Sequence, residues 1–254
     1  MPRANRYFVS GQVYHLTHRC HDRQFLLKFA RDRNAYRMKL REALCRFEVS
    51  LLDHCLTSNH VHLVVCATEP EQISRLMQMV AGEFGQSYNR RKRRSGAYWE
   101  DRFHSTMIEP GGHLERCLVY IALNMVRCGV VRHPREWPWC GYEELMGLRR
   151  RFRVLDVERL LELLGGVSTA DFRQHYEGLI SERLAKDQLG REPEWTESIA
   201  VGSEKFVRET AEYIKGRQQL EIDSVGDTWR LKERTASYGA SLRAKTNCKG
   251  VFDP

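Results

Sequence analysis

The chain of 254 residues carries 41 Lys and Arg against 33 Asp and Glu, a formal charge of +8, and has room for one substantial core with a smaller unit beside it. That balance admits an anionic partner such as nucleic acid without demanding one. No stretch is apolar enough to cross a membrane, no apolar run follows the basic start as in a signal peptide, and the cysteines at 20, 45, 55, 66, 117, 128, 140 and 248 form no C-x-x-C pair, so free thiols in a cytoplasmic protein are expected rather than a secreted disulfide scaffold.

Residues 12–17 alternate in β-favouring fashion and predict a first strand, followed by a basic loop over 19–23. Phe29, Tyr36, Leu40 and Leu44 recur at helical spacing and predict an amphipathic helix over 29–47. Two β-rich runs, 49–56 and 61–66, flank Thr57-Ser58-Asn59 and read as a hairpin. Pro70 between two acids marks a helix start, and Ile73, Leu76, Met77, Val80 and Phe84 carry its stripe toward the basic run Arg90-Arg91-Lys92-Arg93-Arg94. A last strand is expected over 105–109, then a helix over 113–127 with Leu114, Cys117, Leu118, Ile121 and Met125 on its apolar side. Strand, helix, hairpin, helix, strand, helix is the pattern of an α+β fold, helices packed on an antiparallel sheet. Beyond it, residues 154–189 and 203–218 show helical periodicity. The expected organisation is a domain over 1–147, a helical C-terminal extension over 148–222 and a loosely ordered tail over 223–254.

Three features carry chemistry. In a strand, residues two apart share a face, so His60 and His62 point one way while Val61 and Leu63 point the other. Two imidazoles so placed can grip one ion, although an isolated His-x-His is more often a hydrogen-bonded surface pair. On the helix after Gly111-Gly112, Tyr120 and Asn124 are four apart and therefore lie on one side, able to deliver a phenol and an amide oxygen together. Taken alone, each is also an ordinary helix residue. The run Arg90, Arg91, Lys92, Arg93 and Arg94, with Trp99 shortly after, joins cations for phosphates to a ring for bases, the combination single strands require, and is equally compatible with a solvated helix end.

Three segments, Asn59-His-Val-His-Leu-Val-Val65, Gly96-Ala-Tyr-Trp-Glu-Asp-Arg-Phe103, and Tyr120-Ile-Ala-Leu-Asn-Met-Val-Arg-Cys-Gly-Val-Val131 with Trp137-Pro-Trp139 after it, resemble in order and spacing the REP-associated tyrosine transposases. These are relatives of the single-strand insertion-sequence transposases that carry a His-hydrophobic-His motif. The resemblance covers about residues 5–145. It departs at Asn124-Met125, where the family commonly has Asn-Pro, and near Cys140-Gly141, where it commonly has Ser-Ser.

The resemblance implies a ferredoxin- or RRM-like HUH nuclease core, with Tyr120 as a nucleophile that forms a 5′-phosphotyrosine on single-stranded, hairpin-forming (REP-type) DNA. It further implies that His60, His62 and Asn124 hold a divalent cation, Mg²⁺ or Mn²⁺, and that the protein acts as a monomer or homodimer away from membranes. Arg19, Arg102, Trp99 and the run 90–94 are the candidates for holding the strand. Two other readings stay open from the residues alone: a metal-dependent hydrolase in which Tyr120 merely packs, and a catalytically silent DNA-binding regulator.

Overall fold

The alternation of Val13, Tyr14, His15 and Leu16 sends odd and even side chains of β1 (Val13–Arg19) to opposite faces, and both faces are covered. The computed structural model describes residues 8–214 and 220–233. After β1 come α1 (Ala30–Leu44), the hairpin β2 (Ser50–Leu56) and β3 (His60–Cys66), α2 (Pro70–Lys92) and β4 (His104–Ile108). Proline at the start of α2 costs no hydrogen bond there, because that N–H has no partner within a helix. The helix predicted over 113–127 is present with one loosened turn: α3 (Gly112–Ala122) and α4 (Asn124–Arg127) meet at Leu123, whose φ of −76° and ψ of 1° depart from helical values.

β1 pairs antiparallel with β3 on one side and β4 on the other, and β2 closes the far edge through β3. Tyr14, Leu16, Val61, Leu63 and Val65 meet Tyr36 and Leu40 of α1 and Leu76, Val80 and Phe84 of α2 in one core. Val13, Val64, Cys66 and Ile108 face the other way, onto Leu114, Cys117, Leu118 and Ile121 of α3. The fold is thus α+β, a sheet with a helical layer on each face.

The C-terminal part corrects the sequence expectation. Helices are present, namely α5 (Tyr142–Leu145), α6 (Val157–Leu163), α7 (Thr169–Ala185), α8 (Glu194–Glu197) and α9 (Glu204–Tyr213). The segment 148–222 is not purely helical, however, because β5 (Ala200–Gly202) lies parallel beside β4, and β6 (Leu220–Val225) with β7 (Thr228–Glu233) continues the sheet through β5. The strand order is β2-β3-β1-β4-β5-β7-β6. Residues 223–233 of the expected loose tail are therefore paired strand and turn, and 234–254 lie outside the described residues. The cause is local: β5 is too short to show periodicity, and the turn Gly226-Asp227 supplies the positive φ, 59° at Gly226, that a two-residue hairpin loop needs within a polar stretch. β4, which would otherwise expose an edge, gains hydrogen bonds from Met107 N to Ile199 O (2.8 Å) and from Glu109 N to Val201 O (3.0 Å).

Candidate active site

β3 presents His60 and His62 on the face that packs against α3, as their spacing requires. The turn before them is pinned from several directions. Cys20 N donates to Asn59 O (2.8 Å), Leu27 N to Ser58 O (2.9 Å), and the Trp137 indole N–H to Leu56 O (3.0 Å), so the Trp137-Pro-Trp139 segment holds the end of β2. The Thr57 hydroxyl donates to His60 O (2.8 Å), which leaves its oxygen as an acceptor, and Asn59 Oδ1 accepts as well. His60 Nδ1 lies 2.9 Å from the first and 2.6 Å from the second. With only acceptors before it, Nδ1 carries the ring proton and Nε2 keeps the lone pair.

His62 is buried at 1% exposure. Its Nδ1 lies 2.8 Å from His15 Nε2, and its Nε2 accepts from the Asn124 amide at 3.1 Å. Asn124 Oδ1 is buried without a hydrogen-bond partner. Tyr120, one helical turn before Asn124, brings its ring centroid to 6.3 Å from that of His62 and 6.4 Å from that of His15. The loosened turn at Leu123 therefore does not separate the two residues, and the structure brings His60, His62, Tyr120 and Asn124 to one place.

The electrostatics suit ligation and phosphate chemistry. Burial, then the charge of Arg19, pushes His60 down to about 3, and burial followed by His60 and His15 holds His62 well below its ordinary value. Both rings are neutral at neutral pH, the form that binds a cation. Burial raises the Tyr120 phenol, while Arg127, whose guanidinium carbon sits 4.1 Å from the ring centroid, opposes that rise. Arg127 also donates to the Tyr120 carbonyl (3.0 Å) and is thus fixed in place. A divalent cation fits the donor types: the His60 and His62 rings and the Asn124 amide meet here with no thiolate among them, and a turn of that amide would put Oδ1 in place of Nδ2 before the His62 lone pair.

Residues 8–124 match the family described as IS200-like transposases. A Haemophilus influenzae protein described as a REP-associated tyrosine transposase is 24% identical over 156 residues, which is 56% of this chain and 86% of the relative. The solved structure of a REP-associated tyrosine transposase bound to a REP hairpin superposes with a TM-score of 0.51 at 18% identity, covering 62% of this chain and 93% of the other, a likeness of fold. The IS200-like match takes in β1 to α3 with His60, His62, Tyr120 and Asn124, and leaves Arg127 and the C-terminal strands outside it.

Within the matched segment the proposed strand-binding residues part company. Arg19 sits opposite His60 in the β1–β3 register, and its charge reaches both His60 and Tyr120. The basic run ends α2, which packs on the opposite face of the sheet from α3. There Arg91 pairs with the buried carboxylate of Asp32, the Lys92 ammonium lies 5.3 Å from the Phe29 ring, and Arg94 donates to Asn89 Oδ1 (3.1 Å) and Ala97 O (2.8 Å). Arg90 and Arg93 are exposed. Trp99 is placed as a packing residue rather than a platform for bases: it donates to Ala81 O (3.0 Å), stacks on His18 at 4.0 Å and meets Tyr36 and Phe84 edge-on or tilted. Arg102 is exposed beside Asp101, whose carboxylate caps its backbone N–H (2.7 Å). Sequence reasoning missed His15 and Arg127. His15 stands alone in a strand with no paired motif to mark it, whereas Arg127 follows Asn124 by three residues on the same helical run and was legible by spacing. Among the described residues no helix is long and apolar enough to cross a membrane.

Proposed function

We propose that this protein nicks and rejoins single-stranded DNA bearing a REP-type hairpin, with Tyr120 as the nucleophile. The observation that carries the reading is the meeting of the Tyr120 ring, two neutral histidines whose Nε2 atoms carry no hydrogen and the Asn124 amide within a segment that matches the IS200-like transposase family. The hairpin substrate is taken from the structural relative.

In the reaction, Tyr120 Oη attacks the phosphorus, an O–P bond forms and the bond from phosphorus to the 3′ oxygen breaks. The products are a 5′-phosphotyrosine and a DNA 3′-hydroxyl that ends with the phenol proton. Attack by a released 3′-hydroxyl reverses these bonds and rejoins the strand. A phenol with an ordinary pKa near 10 is largely protonated at neutral pH, so the proton must depart as the O–P bond forms. Arg127 over the ring favours the developing phenolate, and Arg19 supplies positive charge beside His60 where a phosphate would lie. His60 Nε2, His62 Nε2 and Asn124 Oδ1 would hold a divalent cation, Mn²⁺ more comfortably than Mg²⁺ given the imidazoles, whose chemistry is to neutralise the phosphate and the departing oxygen.

The test is incubation of the protein with a hairpin-bearing DNA strand and Mn²⁺, followed by denaturing electrophoresis. Wild type is expected to yield a protein–DNA adduct and Tyr120→Phe none. Equal cleavage by Tyr120→Phe would transfer the case to the metal-dependent hydrolase, and binding without any cleavage by wild type would transfer it to the regulator.

A further inference from the structure

We propose that His15, anchored by the main-chain carbonyl of Trp195, is a positioning residue that fixes the tautomer of His62 so that Nε2 presents a lone pair to the site. The proposal rests on the reading of His62 as a cation ligand. It assigns a role to the segment around Trp195, which lies some seventy residues beyond the part that matches the transposase family.

A buried chain of contacts sets the count of protons. His15 is fully buried on β1, and its Nδ1 lies 2.8 Å from the carbonyl oxygen of Trp195 in α8. A carbonyl oxygen only accepts, so His15 Nδ1 must carry hydrogen. Among the described residues no carboxylate pairs with His15 or His62, and each neutral ring holds one proton. His15 Nε2 is consequently a bare acceptor. The 2.8 Å contact from His15 Nε2 to His62 Nδ1 needs one hydrogen, which only His62 can supply. The two ring planes lie within 18° of parallel. His62 Nδ1 thus donates, and His62 Nε2 is left bare, which agrees with the Asn124 amide donating to it at 3.1 Å.

The alternative tautomer would put hydrogen on Nε2 of His62, where it would face the amide hydrogens of Asn124 and block ligation. Second partners that orient a ligating imidazole ordinarily accept its other N–H, and here a second imidazole, itself oriented by a peptide carbonyl, does so. The placement of Trp195 is firm: its ring is buried, its indole N–H donates to Glu192 Oε2 (2.8 Å), and the residues after it run directly into β5 beside β4. The C-terminal extension therefore reaches His15 through a carbonyl oxygen, and the Trp195 ring also lies 6.4 Å from that of Tyr120.

The experiment has two arms on the full chain. In ¹⁵N-histidine-labelled, metal-free wild type, NMR is expected to find His62 with hydrogen on Nδ1 and a bare Nε2; hydrogen on Nε2 would overturn the proposal. In the second arm, Mn²⁺ affinity is read from free Mn²⁺ by electron paramagnetic resonance. His15→Phe is expected to weaken it roughly 10- to 100-fold, while His15→Gln, which can donate to the Trp195 carbonyl and accept from His62, recovers much of the loss. A His15→Phe protein with unchanged circular dichroism and unchanged Mn²⁺ affinity would contradict the role. If His15→Phe does not fold, the NMR arm decides alone. Wild type that binds no Mn²⁺ would sink the cation reading itself, and the tautomer measurement would still judge the relay.

Discussion

Asn124 is the residue whose state most directly distinguishes a working site from a packed helix. Its Nδ2 is engaged with His62 while Oδ1 is buried and unpartnered, an arrangement that costs about 1–3 kcal/mol unless something else uses the oxygen. Asn124→Asp, which keeps an oxygen donor, is expected to retain Mn²⁺ binding, and Asn124→Leu to lose at least about 10-fold in affinity. Titration of Mn²⁺ into both variants checks this; equal affinity for Asn124→Leu would remove Asn124 from the ligand set. Arg127 acts on the phenol itself. Burial raises the Tyr120 pKa and Arg127 lowers it, so Arg127→Ala should raise it further. The alkaline rise in adduct formation is then expected at higher pH, with the rate at neutral pH down by roughly 10-fold for each pKa unit gained. An unchanged pH–rate profile would rule out this influence.

Among the elements, legibility followed periodicity. The hairpin of β2 and β3 was readable because Val61, Leu63 and Val65 alternate with His60, His62 and Val64, and α2 because Ile73, Leu76, Met77, Val80 and Phe84 form a stripe. Tyr120 and Asn124 were readable as a pair from helical spacing, although the loosened turn at Leu123 between them was not. β5 was invisible, since Ala200-Val201-Gly202 is too short for any period and owes its conformation to pairing with β4 and β7. His15 was invisible for a related reason: what gives it meaning is a carbonyl 180 residues away. The junction of β5 with α9 is tightly packed. A Cβ at Gly202 would lie 2.5 Å from Phe206 and 2.8 Å from Glu109, so Gly202→Ala is expected to destabilise by about 1–3 kcal/mol in urea denaturation. A neutral effect would show that this junction yields easily.

At the scale of the whole molecule, the charge balance and the buried histidines set the response to pH. His15 and His54 are both fully buried and pushed down by burial, to about 4 and about 3. The unfolded chain binds protons at these positions near pH 6.5, and the folded chain does so only at much lower pH. Their stabilising contribution is complete above about pH 6.5 and is lost as the pH falls toward about 4 for His15 and about 3 for His54, at up to about 1.4 kcal/mol per pH unit for each ring. His54 lies away from the proposed ligands, and neither ring nitrogen has a partner. His54→Phe is therefore expected to flatten the fall in urea midpoint across that window by one such increment, and an identical slope would contradict the assignment.

The central claim is that Tyr120 becomes covalently joined to DNA. Protease digestion of the adduct formed on hairpin-bearing DNA with Mn²⁺, followed by mass spectrometry of the nucleotide-linked peptide, addresses it most directly. The expected result is a single modified peptide with phosphate on Tyr120. A nucleotide carried by any other residue would contradict the account.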